Sequence, residues 1–220
     1  DDIATSITIL ATHTITVSTS IAAAQLTIDA NGSLTVEGQF AIINGASNPD
    51  LVNNGTVTVN GQFENSGETL NNAIFTVNGG LLLYDINFSG NAVSYGAVNS
   101  SLTYGGNGVT MTSVLFPAIN GPQSLALAVG NTFTIPTMFD GTLPKNLGFA
   151  NGAILDCSSN LTVHGDVYGD AKFTGTGKII MDGTTSTLDG GEISNLDLTG
   201  DMITASSTVN ITGNLHLGSM

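Results

Sequence analysis

Seven carboxylates, Asp166, Asp170, Asp182, Asp189, Glu192, Asp197 and Asp201, fall within a window of 36 residues. Carboxylate and main-chain oxygens are what a hard cation takes up, and calcium needs about six to eight of them. Asp166, Asp170, Asp182 and Asp189 each adjoin a glycine. Short glycine corners over Asp166–Asp201 could bring side-chain and freed carbonyl oxygens together, and the calcium candidates are Asp166, Asp170, Asp182 and Asp189. No stretch matches an EF-hand loop or a nonapeptide calcium repeat, and a solvated acidic edge is the competing reading. The same residues supply pairs for glycoside hydrolysis, which needs two facing carboxylates. The pairs are Asp166 with Asp170, Asp182 with Asp189, and Asp189 with Glu192.

Other reactive side chains are few. His13, His164 and His216 lack zinc-ligand spacing, and Cys157 has no second cysteine to pair with. The flank Asp156-Cys157-Ser158-Ser159 offers no cation to lower the thiol pKa, which suits a buried, inert thiol. Thr-x-Thr pairs recur, for example Thr14/Thr16, Thr56/Thr58 and Thr174/Thr176. An ice-matching face would need such pairs in one register on successive coils. β-propensity alone also accounts for them.

These residues sit in a recurring frame of alternating apolar and polar residues closed by glycine. It reads Ser33-Leu34-Thr35-Val36-Glu37-Gly38, Thr56-Val57-Thr58-Val59-Asn60-Gly61 and Ile74-Phe75-Thr76-Val77-Asn78-Gly79. It returns at Asn160-Leu161-Thr162-Val163-His164-Gly165 and Thr208-Val209-Asn210-Ile211-Thr212-Gly213. Period-two alternation predicts strands with one buried face. Recurrence at a step of about 22 residues predicts stacked coils. The expectation is an all-β, right-handed parallel β-helix (β-solenoid) of roughly ten turns over residues 1–220, about 48 Å of stack at about 4.8 Å per turn. The inward set contains Val36, Val59, Val77, Val163 and Ile211. One outward column contains Thr35, Thr58, Thr76, Thr162 and Asn210. The next contains Glu37, Asn60, Asn78, His164 and Thr212, so Thr is mixed with Asn, Glu and His.

Four of the five prolines lie in residues 113–149, which read as an irregular rung or junction within a single domain. Residues 1–24 read as the N-terminal cap. The abrupt end after an alternating strand reads as uncapped, so the chain is expected to be part of a larger one or to bury that end in a dimer.

The balance of 3 basic against 17 acidic residues gives a formal charge of −14. Nucleic acid needs a cationic footprint, and an anionic membrane surface would repel this chain. No run reaches the ~18 apolar residues of a spanning helix. Lyases acting on anionic glycans need cations that the chain lacks.

The tract Leu51–Gly67 resembles haemagglutinin- and autotransporter-type β-helix repeats. The tract Phe116-Pro117-Ala118-Ile119-Asn120-Gly121-Pro122-Gln123-Ser124-Leu125, followed by alternating strands, resembles large secreted surface proteins of Bacteroidetes, which include adhesins. The resemblance implies a bacterial secreted or cell-surface role and transfers no binding residue. The expected function is a non-enzymatic structural or adhesive segment whose partners are surface glycans or other cell-surface proteins. The alternatives are a carbohydrate-active β-helix enzyme, a glycan-binding module, and an ice-binding solenoid.

Overall fold

The computed structural model describes residues 6–43, 49–84, 87–106, 112–117, 119–128, 132–135, 141–143, 145–150, 152–170 and 172–218. Every regular element among them is a strand, and the strands pair in parallel as a β-solenoid of about ten turns. The chain divides into two compact units, Asp1–Thr103 and Tyr104–Met220.

The first unit stacks coils of three strands each. The first coil is β1 (Ile7–Ile9), β2 (Thr14–Val17) and β3 (Ser20–Ala23). Then come β4 (Leu26–Ile28), β5 (Ser33–Val36) and β6 (Gln39–Ile42), followed by β7 (Leu51–Asn53), β8 (Thr56–Val59) and β9 (Gln62–Asn65). The last two coils are β10 (Thr69–Asn71), β11 (Ile74–Val77), β12 (Gly80–Leu83), and β13 (Phe88–Gly90), β14 (Ser94–Tyr95), β15 (Ser101–Tyr104). Each side of the coil makes its own sheet, so β2, β5, β8, β11 and β14 are consecutive neighbours. Residues 7–23, which the sequence reads as a cap, form a full first coil.

Register follows the alternation. Leu34 faces Val57, which faces Phe75, while Val36, Val59 and Val77 align one residue pair further on. These six side chains are buried. Each contributes about 1.5–3 kcal/mol by leaving water. Phe40 stacks on Phe63 (centroids 5.7 Å, 8° between planes), and Phe63 meets Phe75 edge-on at 5.5 Å.

The glycine that closes each repeat has a steric cause. A Cβ on Gly61 would overlap the carbonyl of Gly38, and one on Gly79 would overlap that of Gly61. At this corner main chain stacks on main chain, and Gln62 N–H donates to Gly38 O at 2.8 Å.

Some interior corner positions are polar. Asn53 is fully buried; its amide donates to Asn71 Oδ1 (2.7 Å) and Ile74 O (2.9 Å), and its Oδ1 accepts from Gly55 N–H (3.1 Å). Asn65 repeats the device, donating to Thr69 Oγ1 at 2.6 Å and accepting from Gly67 N–H at 2.9 Å. Main-chain groups that a corner turns inward are thereby satisfied.

In the second unit the coils are β16 (Ser124–Leu127), β17 (Thr132–Ile135), β18 (Gly141–Leu143), then β19 (Leu147–Phe149), β20 (Ile154–Cys157), β21 (Leu161–Val163), then β22 (Val167–Tyr168), β23 (Lys172–Thr174), β24 (Ile179–Met181). The final two are β25 (Ser186–Leu188) with β26 (Gly191–Leu198), and β27 (Ile203–Ala205) with β28 (Val209–Leu217). Strands β16–β19 thus lie inside residues 113–149 and keep coil register, with Leu125 facing Leu147. Pro136 and Pro144 lie outside the described residues.

The inward set needs one correction. Val36, Val59, Val77 and Val163 are fully buried, but Val209 and Ile211 are only half-buried. Ile211 aligns with Ile193, and the column through Val163 runs to Met181, Leu198 and Leu217 instead. Asn210 therefore stands over Glu192 and not in line with Thr162. Gly213 packs over the Ser194 carbonyl, whereas Gly165 packs over that of Lys145. Thr212 consequently belongs to a different corner from His164.

Candidate functional site

Chemistry in this fold falls to outward side chains, since the strands consume the backbone and the core is apolar. The first unit carries two columns on β2, β5, β8 and β11. One runs Thr14, Ser33, Thr56, Ile74; the other runs Thr16, Thr35, Thr58, Thr76 and continues to Ser94 on β14. The expected alignment of Thr35, Thr58 and Thr76 is present. In the neighbouring corner column Glu37, Asn60 and Asn78 align as expected, and they are internally bonded. Asn78 Nδ2 donates to Asn60 Oδ1 and Asn60 Nδ2 donates to Glu37 Oε1, both at 2.8 Å.

On the next side of the same coils, Gly80 faces outward and leaves a shallow groove of about 460 Å³ bordered by Gln62, Leu82, Ser101 and Thr103. Its walls are amide, hydroxyl and aliphatic. A Cβ on Gly80 would meet only Ser101 Oγ at 3.6 Å and the Gln62 side chain at 3.9 Å, so the groove owes its depth to the missing side chain.

The second unit holds the densest charged cluster. Asp197 faces out from β26 with 9% of its side chain exposed. Lys178 Nζ lies 2.8 Å from its Oδ2, and His216 Nδ1 lies 2.5 Å from its Oδ1. The hydrogen bond from Lys178 is the main force holding the Asp197 carboxyl below its ordinary range; burial opposes it and His216 reinforces it. A cavity of about 230 Å³ adjoins the cluster, lined by Asn160, Thr176, Asn195 and Asn214 as well as Lys178 and His216. Asn195 spends its amide on Gly177 O (3.0 Å) and its oxygen on Asn214 (3.2 Å). The His216–Asp197 pair escaped the sequence reading, because the partners are 19 positions apart and only coil register joins them.

The four calcium candidates do not converge. Asp166 accepts Thr187 N–H at 2.8 Å and Asp189 accepts Ser206 Oγ–H at 2.7 Å. Asp182 lies 2.5 Å from His164 Nδ1, and Asp170 stands exposed on the corner after β22. Among the described residues no group of three His, Cys, Asp or Glu side chains is placed to hold a metal ion. In the proposed hydrolytic pairs Asp166, Asp182 and Asp189 are held as described, and Glu192 faces Lys172 at 3.9 Å. His13 is exposed, with Nδ1 3.1 Å from Ala11 O. Cys157 is buried in the core beside Ser159 O, and burial pushes its thiol up to about 11. Such a thiol is a packing group rather than a nucleophile.

No protein family, no curated protein and no solved structure matches the chain.

Proposed function

We propose that the chain is a non-enzymatic structural and adhesive segment of a secreted or cell-surface bacterial protein, of the Bacteroidetes surface type that its Leu51–Gly67 and Phe116–Leu125 tracts resemble. The observation that carries this reading is where the reactive side chains spend their bonds. Asp197 is held by Lys178 and His216, Asp182 by His164, and Asp189 by Ser206, each partner coming from a neighbouring coil. Groups used this way tie coils together and leave unoccupied columns and a shallow groove for repeated weak contacts. Linked repeats multiply such contacts through effective concentration. Surface glycans or other surface proteins are the partners of this chemistry, and the Gly80 groove supports a glycan-binding variant of the same reading.

The test is a joint assay on cellulose, chitin, xylan and alginate. Retention of the chain on each is measured by pull-down, and chain cleavage by reducing-end release and by absorbance of unsaturated products. Retention without product is expected. Product formation that disappears with Asp189→Asn or Asp197→Asn would replace the proposal with the carbohydrate-active enzyme.

A further inference from the structure

We propose that the outer face of β2, β5, β8, β11 and β14 binds ice, a function beyond the adhesive role and independent of it. The inference starts from register. The sequence alone mixes Thr with Asn, Glu and His when distant repeats are overlaid, but the strand pairing resolves this within the first unit. Thr16, Thr35, Thr58, Thr76 and Ser94 form one unbroken hydroxyl column over five rungs. The column two residues earlier carries Thr14, Ser33 and Thr56, and ends at Ile74, which is 61% exposed.

Three properties suit this face to ice. It carries no ionisable side chain, whereas the sheet of β3, β6, β9 and β12 presents Glu64 beside Gln39, and the corner presents Glu37. Charge holds its own hydration shell and resists incorporation into a lattice. Next, among the described residues the hydroxyls of the two columns have no hydrogen-bond partner within the protein, unlike the bonded Glu37–Asn60–Asn78 ladder beside them. Their donors and acceptors are left for water. Finally, the spacing is fixed by the backbone. Rungs stand about 4.8 Å apart, and outward residues two apart on a strand stand about 6.6 Å apart. Five rungs give an array about 19 Å long. The rung repeat lies close to the oxygen repeat along the a axis of hexagonal ice. Threonine methyls on this grid confine water between them while the hydroxyls anchor it, so the bound layer shares positions with the lattice. The register fixes the grid before water arrives, which lowers the ordering cost of binding.

The experiment uses the full chain unlabelled, with the protein in the melted ice fraction read by gel densitometry. Partition into a slowly grown ice shell and thermal hysteresis are measured for wild type, Thr58→Tyr, Thr35→Lys and the control Thr27→Tyr. Thr27 is an outward residue of β4, on a different sheet. Circular dichroism melts verify folding, and Thr35→Lys stands in if tyrosine disturbs the fold. Wild type and Thr27→Tyr should enrich in ice at least several-fold over serum albumin and shape ice crystals. Thr58→Tyr and Thr35→Lys should fall to the albumin level with unchanged melts. Exclusion of wild type from ice, or equal loss in the Thr27→Tyr control, would overturn the proposal.

Discussion

Asn53→Ala should be among the most damaging single changes in the first unit, because three polar atoms lose their partners at once. Gly55 N–H, Asn71 Oδ1 and Ile74 O all bond to the Asn53 amide, at 3.1, 2.7 and 2.9 Å. The site is fully buried, so water cannot replace the lost bonds without opening the corner. An orphaned buried group costs about 1–3 kcal/mol. Three of them, with partial relaxation, give about 3–6 kcal/mol. That is a large share of the about 5–15 kcal/mol that holds an ordinary domain together. In urea, with a slope of about 2 kcal/mol/M, the midpoint should fall by about 1.5–3 M. Asn78→Ala is the matched comparison: it also removes an inter-coil amide bond, to Asn60 Oδ1 at 2.8 Å, but on the exposed flank. Water takes over there, and the change should stay within about 0.5 kcal/mol. Both variants are followed by circular dichroism across a urea series. A midpoint shift for Asn53→Ala no larger than for Asn78→Ala would refute the idea that interior amides hold the corners.

Asp197→Asn tests the charged cluster through pH. Because the folded carboxyl is held low, its stabilisation is present above the unfolded carboxylate pKa of about 3.9 and is lost as pH falls through the lower folded value. Urea midpoints of wild type and variant should therefore differ at pH 7 and converge as pH falls below the unfolded carboxylate range; a pH-independent gap would contradict the assignment. Tyr104→Phe removes a phenol that has no hydrogen-bond partner among the described residues and whose ionisation burial pushes strongly upward. The ring keeps its packing on Phe133 at 5.8 Å, so stability by thermal melt should be unchanged or gain up to about 1 kcal/mol. Gly61→Ala forces main chain apart at the corner and should cost at least about 1–3 kcal/mol, whereas Gly80→Ala meets only ordinary contacts and should gain up to about 1 kcal/mol. Equal urea midpoints for the two alanine variants would contradict the stacking argument.

The fold was legible because alternation and glycine are both consequences of a coil side: the first buries Leu34 and Val36, and the second admits main chain over main chain at Gly61. The same fact limited the reading. Every coil has three similar sides, so a motif identifies a side without saying which one. Val209-Asn210-Ile211 resembles Leu161-Thr162-Val163, yet it stacks on the column of Ile193 and Phe173. Within the first unit, where steps are 18 to 25 residues and the motif repeats on the same side, columns were read correctly. The site was less legible. Asp197, Lys178 and His216 meet only through register, and no local pattern marks such a triad. Asp166, Asp170, Asp182 and Asp189 are close in sequence but split between two stacked corners: Asp166 and Asp182 precede β22 and β25, and Asp170 and Asp189 follow them.

The most direct measurement is cross-linking across the rungs. In a Cys157→Ser background, Thr35→Cys/Thr58→Cys places the two cysteines on register partners, which in parallel strands stand about 4.8 Å apart, inside the span of about 4.4–6.8 Å that a disulfide bridges. The slipped pair Thr35→Cys/Val57→Cys aims one side chain outward and one into the core. After mild oxidation and proteolysis, mass spectrometry should find an intramolecular disulfide in the register pair and free thiols in the slipped pair. Equal cross-linking of both pairs, or cross-linking of the slipped pair alone, would contradict the stacked, in-register coil on which the whole account depends.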